Sequence, residues 1–174
     1  MTTVAALALA GCGSTASSSS APSSHATPAS ASAGGPSAQT RMICATEAQH
    51  DLAATLGLQA ANVSTPTWRA DVYSCAYRYA NGSFTLSVHQ AADTRAAHST
   101  FTALGAQLTR RTALEGLGDD AVTTANGSVL VQKDDDVLLV DIRALASRFG
   151  VPPDTRANAA ISIAATIMGC WTGS

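Results

Sequence analysis

Cys75-Ala76-Tyr77-Arg78-Tyr79-Ala80-Asn81-Gly82-Ser83-Phe84-Thr85-Leu86-Ser87-Val88-His89 is the stretch that decides the fold. Asn-Gly is the preferred two-residue hairpin turn, because both residues tolerate positive φ. A turn centred there pairs Ala80 with Ser83, Tyr79 with Phe84, Tyr77 with Leu86 and Cys75 with Val88. Those apolar residues then share one face, and Arg78, Thr85, Ser87 and His89 share the other. Side chains alternate across a strand, so a one-residue slip would destroy this sorting.

The same reading extends downstream. Asn126-Gly127 predicts a second hairpin pairing Thr124 with Val129 and Val122 with Val131. A turn at Asp134-Asp135 adds a third strand, pairing Val131 with Leu138 and Val129 with Val140. Val122, Val129, Val131, Leu138, Val140 and Ile142 are thereby expected on one face.

Helices are read from apolar residues spaced three and four apart. Thr46-Glu47-Ala48-Gln49 has the capping-box pattern, Ala48, Leu52 and Leu56 follow, and Gly57 is a stop signal. This predicts a helix over 46–57. Ala97, Phe101, Leu104 and Leu108 predict a second, from Asp93 or Thr94 to Arg110, with Arg110 and Arg111 at the negative end of its dipole. A third begins after Pro152-Pro153 with Asp154 as cap and buries Ile161, Ile163, Ala164, Ile167 and Met168. The order α-ββ-α-βββ-α is an α+β fold, an antiparallel sheet of about five strands with helices packed on one face.

Upstream, Leu9-Ala10-Gly11-Cys12 follows the short apolar run Val4 to Ala8. Small residues before a Cys after an apolar segment are the pattern of a lipoprotein signal, in which Cys12 is acylated and becomes the mature N-terminus. The basic n-region usual in export signals is missing, since the first Lys or Arg is Arg41; this points to a truncated signal and a start codon further upstream. Residues 1–11 are thus read as signal peptide and 12–40 as the lipidated Cys with a Ser/Ala/Thr/Pro/Gly linker. That linker holds no charged residue and too little bulky apolar surface to fold, with a reach of about 30 Å. The 10 basic and 12 acidic residues all fall in 41–174, the size of one domain. Charge is balanced and shows no basic face, which argues against nucleic acid. Ala159 to Trp171, the most apolar run, is shorter than the roughly 20 residues of a membrane-spanning helix.

Outside the cell thiols become disulfides. With Cys12 acylated, Cys44, Cys75 and Cys170 allow three single pairings. Cys44 precedes the first helix and Cys75 lies on the inward face of the hairpin, so Cys44–Cys75 is the expected bridge. Cys170 is expected as an inert core thiol at the end of the last helix.

Cys44 before a helix ending in Leu-Gly, Cys75-Ala76-Tyr77-Arg78, and Gly116-Leu117-Gly118-Asp119-Asp120-Ala121 before a strand resemble the small secreted lipoproteins of actinobacteria grouped as domain of unknown function 3558. The resemblance covers residues 44–170. It implies an exported lipoprotein with a disulfide near the start of the domain, and it brings no activity with it.

Few residues suggest chemistry. Asp119 and Asp120, beside two glycines, have two readings: a small cation or polar-ligand site, or a tight turn with Asp120 opposite Lys133. Asp134-Asp135-Asp136 lacks the spaced ligands of a calcium loop. His50, His89 and His98 have no nucleophile or carboxylate at a recognisable spacing, and no nucleophile elbow, zinc motif or phosphate loop is present. The expectation is a non-catalytic, metal-free and cofactor-free binding or accessory module on the outer face of the cell membrane. It would be anchored by lipid, with an envelope protein or cell-wall component as partner. The alternative is a receptor holding a small apolar or lipid molecule against Tyr73, Tyr77, Tyr79 and Phe84.

Overall fold

A computed structural model of the chain describes residues 34–171. The signal sequence, Cys12 and most of the linker therefore lie outside the described residues. The elements run α1 (Ala38–Met42), α2 (Thr46–Leu56), β1 (Asn62–Val63), β2 (Thr67–Arg69), β3 (Val72–Tyr79), β4 (Gly82–Gln90) and α3 (Thr94–Gln107). They continue with β5 (Thr112–Ala113), β6 (Asp120–Thr123), β7 (Val129–Lys133), β8 (Asp136–Asp141), β9 (Arg148–Phe149), β10 (Asp154–Thr155) and α4 (Arg156–Trp171). The class is α+β. An antiparallel sheet has the order β1-β3-β4-β8-β7-β6-β5, with β2 also on β3, and β9 pairs with β10 separately. Among the described residues the main sheet has eight strands where about five were expected. The five are β3, β4, β6, β7 and β8; the additions are edge strands of two or three residues, too short to carry an alternation.

The first hairpin forms with its faces as expected and its register two residues away. Tyr79 opposes Gly82, Tyr77 opposes Phe84 and Cys75 opposes Leu86. Ala80-Asn81 make the turn, and neither lies in the left-handed region. A shift of two preserves side-chain parity, so Cys75, Tyr77, Tyr79, Phe84, Leu86 and Val88 are all buried together. Gly82, at φ 136°, is required for a different reason: a Cβ there would sit 2.4 Å from the carbonyl oxygen of Ala144. The chain at Ala144 donates no slack, because its oxygen accepts from Ser83 N–H at 3.1 Å.

The second hairpin is shifted by one, and this does flip a side chain. Val122 opposes Leu130, and Ala121 opposes Val131. Ala121 takes the place in the main core expected of Val122, which packs on the opposite face. The cause is the side chain of Asn126. Its Oδ1 accepts from Thr124 Oγ1 at 2.6 Å and from Ser128 N–H at 3.0 Å, building an Asx-type turn in place of a two-residue one. The turn at Asp134-Asp135 forms as read, with Val131 on Leu138 and Val129 on Val140.

Helices cover both faces of the sheet, not one. Ile43, Leu52 and Leu56 with Ile163, Ala164, Ile167 and Met168 pack against Leu86, Val88, Val129, Val131, Leu138 and Val140. On the other face, Ala97 and Phe101 of α3 pack against Leu130 and Val137, with Leu104, Leu108, Val122 and Leu139 around them. β7 and β8 are apolar at consecutive positions, as strands buried on both faces are. Ile161 is half-buried at the edge of the main core.

The helix ends differ from expectation in detail. Ala45 precedes α2 without a side-chain cap, and Gln49 Nε2 donates back to Cys44 O at 3.0 Å; Thr46 caps nothing. Asp93 caps α3, which ends at Gln107, so Arg110 and Arg111 lie beyond its last turn. Thr155 Oγ1 accepts from Asn158 N–H ahead of α4, while Asp154 holds the Asn158 side chain. Residues before Arg41 also belong to the domain: Ser37 caps α1 and Thr40 is fully buried.

Candidate functional site

Cys44 and Cys75 form a disulfide with their Cα atoms 6.1 Å apart. It ties the segment entering α2 to the middle of β3. Cys170, expected in the core, is half-buried, with its Sγ 3.5 Å from Asp51 Oδ2.

The Gly116–Asp120 segment is a turn entering β6. Gly118, at φ 66°, lets the backbone approach β7, for a Cβ there would stand 2.4 Å from Gln132 O. Asp119 N–H donates to that same oxygen at 2.8 Å. The Asp119 carboxylate accepts from Asp134 N–H at 2.7 Å and lies 3.7 Å from Lys133 Nζ. Lys133 is 3.0 Å from Asp134, and this hydrogen bond raises its pKa. Asp120 opposes Gln132, not Lys133. The two carboxylates are thus divided: Asp119 buckles two turns together, and Asp120 is an exposed strand residue. Among the described residues no group of three or more His, Cys, Asp or Glu side chains is placed to hold a metal ion.

A larger feature lies on the α3 face. The residues sorted outward by the first hairpin form cross-strand pairs there: Ser74 with Ser87, Ala76 with Thr85, Arg78 with Ser83. Thr67 of β2 extends the row, its hydroxyl 3.0 Å from that of Ser74. Helix α3 lies mainly over β7 and β8 and less over β4, so Ser74, Ala76, Ser83, Thr85 and Ser87 stay half-buried. Where the helix and this row meet is a cleft of about 370 Å³, floored by Leu104, Leu108 and Leu139 and rimmed by Gln107, Asn126 and Arg143. A second opening of about 350 Å³ adjoins it beside Ser83 and Thr85. Asp141 and Arg143 line both.

That pair is bidentate, with Arg143 Nη2 2.6 Å from Oδ2 and Nε 3.0 Å from Oδ1 of Asp141. The guanidinium holds the Asp141 carboxyl below the usual carboxylate range. Chemically the surface offers hydroxyls, a fixed ion pair and a short apolar floor. Such a set is able to hydrogen-bond a polar group. Arg78, Thr85 and Ser87 were legible as its face; Asp141 and Arg143 were missed, because only the β4–β8 pairing, Thr85 opposite Asp141, brings them there.

The aromatic stripe is packed on itself. Tyr77 and Phe84 stack with ring centres 4.8 Å apart, Tyr79 stacks on Phe84 at 5.8 Å, and Phe149 meets Tyr79 edge-on at 4.8 Å. Burial pushes the Tyr79 hydroxyl up to about 12 and that of Tyr77 higher still. His89, on the α3 face, has its pKa lowered by burial. No helix among the described residues is long and apolar enough to cross a membrane. Comparison with protein-family models, with curated proteins and with solved structures finds no match to this chain.

Proposed function

We propose that this chain is an extracytoplasmic lipoprotein, anchored through Cys12 to the outer face of the cell membrane, whose domain is a non-catalytic binding or accessory module of the cell envelope. The observation that carries the reading is the Cys44–Cys75 disulfide, because such bonds persist in oxidising compartments outside the cytoplasm. The charge-free stretch before the domain suits a spacer, and the acyl chains of a lipidated Cys suffice for stable attachment. The resemblance of Cys75-Ala76-Tyr77-Arg78 and Gly116-Leu117-Gly118-Asp119-Asp120-Ala121 to the actinobacterial lipoproteins of domain of unknown function 3558 fits both features.

The binding face in this reading is the half-buried hydroxyl row of the sheet with the α3 cleft. Its hydroxyls and its Asp141–Arg143 pair suit a polar envelope partner, protein or cell-wall polymer. The receptor alternative gains nothing from Tyr77, Tyr79 and Phe84, which fill the core against one another. A photo-crosslinking amino acid at Gln107, on the cleft rim, tests the binding face in living cells, with the exposed α2 position His50 as control. An adduct formed from position 107 and absent from position 50 is the expected result. Equal labelling from both, or none from either, contradicts it.

A further inference from the structure

Thr40 and Asp136 lie 96 residues apart and are both fully enclosed, Asp136 retaining 2% exposure. Around them is a chain of oxygens joining α1 to the ends of β4 and β8. Ser37 N–H donates to Gln90 Oε1 at 2.8 Å, Thr40 N–H to Ser37 Oγ at 3.0 Å, and the Ser37 hydroxyl to Thr40 Oγ1 at 2.9 Å. One proton remains, on Thr40 Oγ1. Three acceptors compete for it: Gln90 Oε1 at 3.1 Å and the two Asp136 oxygens at 3.2 and 3.3 Å.

The proton count decides which state this cluster fits. With Asp136 ionised, the one proton its carboxylate is offered among the described residues is that hydroxyl's, and the same hydroxyl is wanted by Gln90. With Asp136 protonated, the acid O–H donates to Thr40 Oγ1 and Thr40 donates to Gln90 Oε1, so the hydroxyl proton is no longer contested and no charge is buried. A buried charge with so little hydrogen bonding is costly. The charged groups nearby do not relieve it. Asp134 and Asp135, in the adjoining turn, repel a second carboxylate. Lys133 is the cross-strand partner of Asp136, but its ammonium is on Asp134 and Asp119. On α1, Arg41 points its guanidinium to Pro36 O at 2.7 Å. From β4, His89 faces the other side of the sheet.

We propose that the Ser37–Thr40–Gln90–Asp136 cluster is a proton-operated latch, which fastens α1 to the sheet in acid and loosens it as the medium approaches neutrality. Burial, then the neighbouring carboxylates, raise the pKa of Asp136 to about 7, so the latch titrates within a range an extracytoplasmic domain meets. Loosening has a fixed limit. Tyr77 holds Ile43 O at 2.7 Å and the disulfide holds Cys44, so release ends at Met42. A helix of five residues does not persist alone once undocked. The latch therefore sets whether the preceding chain joins the domain near Ser37 or at Ile43. This holds whether or not Cys12 carries lipid.

Amide hydrogen exchange on the full chain tests it, read as protection factors for Thr40 and Arg41 corrected for the intrinsic pH dependence. Between pH 5 and pH 7.5 the wild type is expected to lose at least about tenfold in protection at these two amides, levelling off above pH 7. Asp136→Asn is expected to show no such fall. Should that variant not fold, carboxyl-carbon NMR of the wild type stands in its place, with Asp136 titrating near neutrality as the expected result. A flat protection profile in the wild type, the same fall in Asp136→Asn, or an Asp136 titration in the ordinary carboxylate range overturns the proposal.

Discussion

Tyr77 donates its phenolic proton to the carbonyl oxygen of Ile43 across 2.7 Å. Two residues along β3, Cys75 is bonded to Cys44, the next residue after Ile43. A covalent and a polar tie thus act on consecutive residues, making Ile43-Cys44 the point where the chain is clamped to the sheet.

Removing the covalent tie acts mainly on the unfolded chain. Replacing Cys44 and Cys75 together by Ala frees a loop with a sequence separation of 31 and is expected to lower stability by about 2–4 kcal/mol, read as a lower urea midpoint. Tyr77→Phe strands the buried Ile43 carbonyl and is expected to lower it by about 1 kcal/mol.

Gly82 is irreplaceable for steric reasons. Its φ of 136° and the 2.4 Å separation between a new Cβ and Ala144 O leave Ala no strain-free solution. Gly82→Ala is expected to cost more than the roughly 1 kcal/mol steric penalty of a Cβ residue at positive φ, because the 144–145 segment must also move. Thermal unfolding checks it; a midpoint equal to wild type contradicts the packing.

The turn joining β2 to β3 offers a stabilising change. Ala70 and Asp71 occupy its centre at φ 49° and 58°, the left-handed pair that Asn-Gly adopts best. Ala70→Asn with Asp71→Gly is expected to stabilise the domain by about 1 kcal/mol, since a left-handed Ala carries a steric penalty of that order. Urea unfolding of the double variant measures it.

Asp136 makes stability depend on pH in an unusual direction. Its folded pKa of about 7 lies above the ordinary 3.8, so the folded state keeps a proton that the unfolded chain has released. The contribution is full below pH 4, declines as pH rises to about 7, and is level beyond. His89, whose pKa is lowered, has the opposite sign below about pH 6.5. Asp141, also lowered, acts only below pH 4. The difference in stability between wild type and Asp136→Asn isolates the first effect, and is expected to shrink or reverse in favour of the variant between pH 5 and pH 7.5.

Much of the sheet was legible because its strands announce themselves by alternation. The first hairpin tolerated a misplaced turn, since a two-residue error keeps Tyr77, Phe84 and Leu86 on one face. The second did not, since Asn126 spends its side chain on Thr124 and Ser128 and lengthens the loop by an odd count. Leu130 and Leu139 carried the sign that α3 packs on the far face; reading one alternation per strand passed over it. Short edge strands and α1 have no periodicity to read. The Thr40–Asp136 cluster needs α1 docked where Gln90 of β4 opposes Asp136 of β8, and the Asp141–Arg143 pair reaches Thr85 only through the same strand pairing.

Lipid attachment at Cys12 is tested most directly by growing cells that express the full chain on a clickable fatty acid and measuring label on the purified protein. Label on the wild type, its loss in Cys12→Ser, and recovery of the labelled form in the membrane fraction are the predicted result. An unlabelled wild-type chain, or label retained in Cys12→Ser, would contradict the anchor and the extracytoplasmic role built on it.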